Sequence, residues 1–263
     1  MNHSPPVTWR THYALFVLAT IYVFNYIDRQ LMAILIEPVK LEFGISDTQI
    51  GLLSGVTFAV FYTVFGFPLG RLSDRVGRKP VIAFSCMAWS LMTMLCGMAG
   101  NFLTLVLARI GVAVGEAGGT APSVAMVSDL YPPERRSTAL ACLMLGSSLG
   151  AIVGLGLGGW VAQHHGWRYA FILIGAPGIL LGLVLLLTVR TPKRVVPSSS
   201  TALQTEGWMQ TLVELFRMPS FLWLVLTGGA AAIAGYAVGT WSPSFLIRSH
   251  GLNMQQAGFL VGV

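Results

Sequence analysis

The sequence predicts an all-α integral membrane protein, and three observations predict it. Of 263 residues, 54% are hydrophobic and only 10% are charged. A soluble domain carries about 25% charged residues, so this chain has too few to cover its surface in water. The apolar residues fall in runs of roughly twenty, the length that spans a bilayer as a helix. The cations gather in alternate connecting segments, the asymmetry that orients a membrane protein. A net charge of +6 would suit nucleic acid on a soluble domain, but here it sits in loops. The expected partner is therefore the lipid bilayer, with no nucleic acid. Cys86, Cys96 and Cys142 lie inside apolar runs and are odd in number. They read as buried small hydrophobes, not as a disulfide framework or metal site.

A polar tail, Met1 to Thr11, precedes a first span over about residues 12–36, ending before Pro38. No small-residue cleavage site follows, so the span is read as retained. Tyr22, Asn25, Tyr26 and Arg29 recur at i, i+3, i+4 and i+7 and share one helix face. Asp28 adjoins Arg29. An acid or arginine at mid-membrane costs about 2.5–3.5 kcal/mol on insertion scales, so this stripe should face protein or water. It is either a structural ion pair or a working site.

Residues 37–47 carry Glu37, Lys40, Glu42 and Asp47 and read as a loop without cation excess. The second span covers about residues 48–69, with Phe58, Phe61, Tyr62, Phe65 and Phe67. The third covers about residues 80–99, with methionines as gap fillers. Both read as structural. Between them lies Gly70-Arg-Leu-Ser-Asp74-Arg75-Val-Gly77-Arg78-Lys79-Pro80. Arg71, Arg75, Arg78 and Lys79 place this loop on the cytoplasmic side. Gly70 and Gly77 suit a tight turn, and Asp74 can cap backbone N–H groups or pair with an arginine.

The fourth span begins near Phe102 and contains Arg109 and Glu116, seven residues apart and hence on one face. Pro122 cannot donate to the carbonyl of Gly118, which loosens the helix beyond Glu116. A broken helix at mid-membrane is tolerated where it lines a cavity. Asp28 and Arg109 lie within about a turn in depth, with Glu116 somewhat deeper. An Asp28–Arg109 or an Arg29–Glu116 pair between the first and fourth spans fits these depths, and the sequence does not choose. Asp129 at the end of the span reads as a cap or loop pair, before the second cationic loop with Arg135 and Arg136.

The fifth span, about residues 138–161, places Gly146, Gly150, Gly154 and Gly158 every four residues. Small residues at that spacing let helix backbones approach closely. His164 and His165 are read as solvated residues of an outer loop. Trp167 opens the sixth span at the interface, and the span runs to Val189. Residues 1–189 thus form a six-span bundle. Residues 190–218 are a cytoplasmic linker: a flexible stretch around Pro197 to Thr201, then a short interfacial helix with Trp208, Leu212, Leu215 and Phe216 on one face. Residues 219–263 hold a seventh span, to about Ile247, and the start of an eighth near Gln256. On this layout the inside holds Arg10, Arg71, Arg75, Arg78, Lys79, Arg135, Arg136, Arg190, Lys193, Arg194 and Arg217. The outside holds Lys40, Arg168 and Arg248. The imbalance puts the N-terminus in the cytoplasm of a multi-pass cell-membrane protein. No serine–histidine, phosphate-loop or metal-ligand constellation occurs, so no enzyme, cofactor or metal is expected.

The pattern Gly70-x-Leu-Ser-Asp-Arg-x-Gly-Arg-Lys resembles the signature loop between the second and third spans of the major facilitator superfamily. That resemblance implies a fold of two six-helix bundles, of which this chain holds the first and the start of the second. The rest, a missing C-terminal half in cis, becomes an expected partner. It also implies a gating role for Gly70, Asp74, Arg75, Gly77, Arg78 and Lys79, which latch the halves together on the cytoplasmic side.

Asn25-Tyr-Ile-Asp28-Arg29-Gln, Gly115-Glu116-Ala, Ala121-Pro-Ser, Asp129-Leu-Tyr-Pro-Pro and Gly166-Trp-Arg together resemble the spinster branch. So do Gly239-Thr-Trp-Ser-Pro-Ser-Phe-Leu and Arg248-Ser-His-Gly. Ala113 departs from the glycine usual in the fourth-span pattern. The glycine-rich fifth span is similar to that of facilitator antiporters, but Ala151 replaces their proline.

The branch implies a secondary transporter, proton-coupled, carrying a small organic or amphipathic molecule such as a lysolipid or organic anion. On that analogy Asp28 and Glu116 take up protons. Arg29 and Arg109, with Asn25 and Tyr26, regulate them or hold the substrate. Organic anion:cation symporters share the Asp-Arg and a similar fourth span, and they and drug exporters are the alternatives within the superfamily. From another class, the alternative is an inactive half or membrane scaffold.

Overall fold

The computed structural model describes residues 7–190 and 208–262. The flexible stretch expected around Pro197 to Thr201, and Lys193 and Arg194, lie outside the described residues. The described residues are almost all helical, with short turns between helices and no strands. They fall into two units, residues 1–191 with 240–263 and residues 192–239. The first holds helices α1 (Trp9–Phe43), α2 (Asp47–Gly51), α3 (Phe58–Val76), α4 (Arg78–Gly97), α5 (Phe102–Ala117), α6 (Thr120–Leu130), α7 (Pro133–His165) and α8 (Trp167–Thr188). It also takes α11 (Met254–Gly262) and the end of α10 (Pro219–His250). The second unit holds α9 (Trp208–Arg217) and the first part of α10.

Among the described residues, six helical stretches are long and apolar enough to cross a membrane: Asp47–Val76, Arg78–Gly97, Phe102–Leu130, Pro133–His165, Trp167–Thr188 and Pro219–His250. Helix α1, 35 residues long, is not among them, because its polar stripe and charged end dilute an otherwise apolar sequence. Among the described helices it contributes the most buried residues. Leu18, Leu31, Leu35, Ile36 and Val39 are fully buried, and α1 packs along α7 and α8. That enclosure is what a membrane helix carrying an acid and an arginine requires.

Several boundaries differ from those read in the sequence. Helix α1 does not stop before Pro38 but runs through it to Phe43, where Gly44 at φ 62° closes it with its N–H on Lys40 O. Proline removes one donor, and the flanking turns carry the helix past the loss. Glu37, Lys40 and Glu42 are therefore on a helix, not in a loop. The second span likewise continues past Leu69. Gly70, Asp74 and Arg75 are helical, and the turn to α4 is made by Gly77 alone, at φ 103°. The left-handed region at Gly77 is open to a residue without Cβ, and Gly70 supplies no turn. His164 and His165 form the last turn of α7, and His164 Nδ1 lies 2.8 Å from Trp160 O. Cys86 and Cys96 are buried, whereas Cys142 is exposed on α7.

The seam between α1 and α7 is built on glycine. A Cβ at Gly150 would stand 2.5 Å from Val23 O and 2.6 Å from Tyr26 Cβ. At Gly154 it would stand 2.9 Å from Ile27 O. Gly146 faces Ala19 and Gly158 faces Leu31. The four glycines thus lie against residues 19–31 of α1, the stretch that carries the polar stripe.

Candidate functional site

Three helices bring the charged residues together. Asp28 and Arg29 come from the middle of α1, Arg109 and Glu116 from one face of α5, and Thr93 from α4. Asp28, Arg109 and Glu116 are buried, at 2%, 3% and 0% exposure. Both pairs left open by depth counting are formed. Arg29 Nε donates to Glu116 Oε2 at 2.5 Å, and Arg109 Nη1 stands 3.7 Å from Asp28 Oδ1. The first is a charge-assisted hydrogen bond. The second is an ion pair too long for one. Asp28 receives its hydrogen bond from Thr93 Oγ1, at 2.8 Å on Oδ2.

Each carboxylate keeps one buried oxygen without a hydrogen bond, Asp28 Oδ1 and Glu116 Oε1. Arg109 likewise leaves Nε and Nη1 without hydrogen-bond acceptors, and Asn25, buried on α1, leaves both amide atoms unbonded. Buried polar groups are ordinarily paired. Their concentration here marks the place where water, a proton or a polar ligand group completes the bonding.

Aromatic rings wall the site. The Arg29 guanidinium lies 4.8 Å from the Tyr62 ring centroid, 5.4 Å from Tyr26 and 5.5 Å from Phe58. Arg109 approaches the same Phe58 ring at 5.6 Å. Phe58 therefore serves both arginines through its π-faces. It follows a π-helical turn, Leu52–Thr57. Such turns shift the phase of a helix and recur at functional sites. Tyr62 donates to Thr120 Oγ1 at 3.2 Å, just past the break in the fourth span. That break lies at Gly118–Gly119, between α5 and α6, where Gly119 N–H bonds Glu116 O at 2.9 Å.

The residues of the Gly70–Lys79 stretch sit elsewhere, at the turn between α3 and α4. Arg78 Nη1 donates to Asp129 Oδ2 and to Ala125 O, tying this turn to the end of α6. Arg71 stacks on Phe67 at 4.6 Å.

Residues 18–263 match the family model described as Major Facilitator Superfamily. The chain belongs to the Major Facilitator Superfamily. It is 36% identical over its whole length to an MFS-type efflux pump of Mycolicibacterium smegmatis, of which it covers 60%. It is 31% identical to spinster homolog 1 of Rattus norvegicus, over 91% of this chain and 47% of that one. Among solved structures it is similar to a bacterial homolog of the human lysosomal transporter Spinster, crystallised inward-facing and unoccupied. There the TM-score is 0.85 and the identity 34%, over 96% of this chain and 59% of the other. The chain thus spans about half to three-fifths of the length of these relatives.

Within this superfamily fold the sequence pattern missed three contributors. Thr93 and Phe58 lie in spans that read as structural, since one hydroxyl or ring in an apolar run carries no signal of its own. The third is Arg248, whose place as an outer cation in a spinster-like stretch gives no sign of its partners. Its guanidinium grips Glu37 at 2.7 Å and Asp47 through Nη1 and Nη2 at 2.9 and 2.7 Å. Lys40 adds a bond to Asp47 at 2.7 Å. This clasp joins the end of α10 to the corner between α1 and α2. Because its members are partly exposed, salt screens it. Arg248→Ala is expected to lower the melting temperature of the full-length protein at low ionic strength and to change it little in high salt. Equal losses at both salt concentrations would show that Arg248 acts by packing.

Proposed function

We propose that this chain supplies the first six-helix bundle (residues 1–189), a linker (190–218) and the start of the second bundle (219–263) of a proton-coupled transporter. It resides in the cell membrane with its N-terminus in the cytoplasm, and works by alternating access with the remaining C-terminal helices in cis. The substrate is a small amphipathic or organic anion. The observation that carries the reading is the pair of unbonded, buried carboxylate oxygens, Asp28 Oδ1 and Glu116 Oε1, each in a group beside an arginine. Burial favours the neutral carboxyl and a neighbouring guanidinium favours the charged one. A small movement of either arginine therefore loads or releases a proton.

Arg109, with two buried nitrogens lacking acceptors, and Arg29 in its aromatic wall offer the anion a partner once a carboxylate is protonated. The 34% identity to a bacterial homolog of the human lysosomal transporter Spinster supports the transporter reading. The Gly77 turn with Arg78, and the Arg248 clasp, would then be the inner and outer latches.

The test is proton flux in proteoliposomes containing the full-length protein, with lysophosphatidylglycerol as the amphipathic anion. The wild type is expected to couple proton movement to addition of this lipid. Asp28→Asn and Glu116→Gln are each expected to reduce the flux by at least about tenfold, the range of a lost general acid–base group. Variants that behave like the wild type would remove these carboxylates from the coupling. A wild type that moves no protons with this lipid would take amphipathic anions out of the substrate class.

A further inference from the structure

Thr93 lies near the C-terminal end of α4, about one turn before Gly97, and is fully buried. Its hydroxyl hydrogen-bonds Asp28 Oδ2 at 2.8 Å, while Oδ1 has no hydrogen bond and Arg109 stays at 3.7 Å. The charged and titratable groups that face Asp28 are Arg29 on its own helix, Arg109 and Glu116 on α5, and Cys96 on α4. The arginines can only donate, so they serve the carboxylate and offer nothing to the O–H of the acid. A threonine hydroxyl donates and accepts. Toward the carboxylate, Thr93 donates its proton to Oδ2. When Oδ2 is protonated, the carboxyl O–H donates to Thr93 Oγ1, and the hydroxyl hydrogen rotates away.

We propose that Thr93 is a positioning residue that keeps Asp28 hydrogen-bonded, and so fixed in place, in both of its protonation states. The proposal rests on the reading of Asp28 as a proton carrier. It adds a reason for that residue's ability to change charge inside a packed bundle. Without Thr93 the other acceptor facing the neutral acid is the Glu116 carboxylate, whose Oε2 is already held by Arg29, and a buried polar group without a partner is costly.

Two substitutions separate this role from packing. Thr93→Val keeps the shape and removes the hydroxyl. Thr93→Ser keeps the hydroxyl and removes a methyl. The measurement is proton uptake by the purified full-length protein after an acid jump from about pH 8 to about pH 5, followed with an indicator dye. Infrared difference spectra accompany it, and the carboxyl band of Asp28 is identified by its loss in Asp28→Asn.

With valine both forms lose a hydrogen bond, but the charged form loses the stronger, charge-assisted one, so the pH of half-uptake for the Asp28-dependent proton is expected to rise by under about one unit. The Asp28 carboxyl stretch is expected to move to higher frequency for lack of a partner. With serine, both stay at their wild-type values. A normal valine variant together with a shifted serine variant would assign Thr93 to packing and overturn the proposal. If Thr93→Val does not fold, Thr93→Ala removes the same hydroxyl without apolar bulk, and unchanged uptake there overturns it equally. If Asp28→Asn removes no proton uptake, the underlying reading of Asp28 fails. If it does remove uptake and Thr93→Val changes nothing, only the role of Thr93 fails.

Discussion

Arg29→Ala is expected to destabilise the full-length protein by about 3–5 kcal/mol, the cost of stranding a buried charge. Glu116 is completely enclosed, and its Oε2 depends on Arg29 Nε at 2.5 Å. Oε1 has no hydrogen bond. Removing the guanidinium leaves the carboxylate without its hydrogen-bond donor and its nearest counter-charge, and empties the space among Tyr26, Phe58 and Tyr62. Arg29→Lys keeps the charge but loses the planar group that stacks on these rings, so an intermediate loss is expected. The informative variant is the double one. Adding Glu116→Gln to Arg29→Ala removes the stranded charge and is expected to recover most of the loss, a coupling that independent sites would not show. Denaturant or thermal unfolding in detergent reads all three variants. If Arg29→Ala unfolds like the wild type, or Glu116→Gln deepens its loss, the buried ion pair does not matter to the fold.

The second large effect lies in the seam behind the site. Gly150→Ala is expected to cost about 1–3 kcal/mol, the usual range for overpacking. The added Cβ meets Val23 O at 2.5 Å and Tyr26 Cβ at 2.6 Å, and a backbone oxygen cannot swing aside as the end of a side chain can. Helix α1 must back away from α7, and it takes Asp28 and Arg29 with it. Alanine at Gly154, 2.9 Å from Ile27 O, should cost less, and at Gly146, 3.1 Å from Ala19 O, less again. Gly66 in α3 is the control: a Cβ there meets nothing within 4 Å, so alanine should be neutral or slightly stabilising through helix propensity. A series in which Gly66→Ala is as harmful as Gly150→Ala would mean that close approach of α1 and α7 is not the source of the loss, since helix propensity alone favours alanine.

Much of this arrangement is legible in the sequence. Hydropathy marks the spans from the second onward, and the polar stripe of α1 announces a helix that needs enclosure. The four-residue glycine spacing announces a close helix contact but not its partner, because spacing describes one helix at a time. Local punctuation misleads at Pro38 and Gly70. A proline costs one hydrogen bond and a glycine a little entropy, and the continuing turns on either side outweigh both.

By itself the sequence determines the membrane character, the superfamily signature and the four charged residues Asp28, Arg29, Arg109 and Glu116. These are properties of composition, order and period along one chain. Only the tertiary structure decides that both ion pairs form, that Thr93 and not an arginine hydrogen-bonds Asp28, and that Arg248 closes on carboxylates some 200 residues away. The reason is physical. A helix carries its period with it, but its depth and rotation against its neighbours are set by the packing of the other helices. A shift of one turn, about 5.4 Å, would exchange one pairing for another.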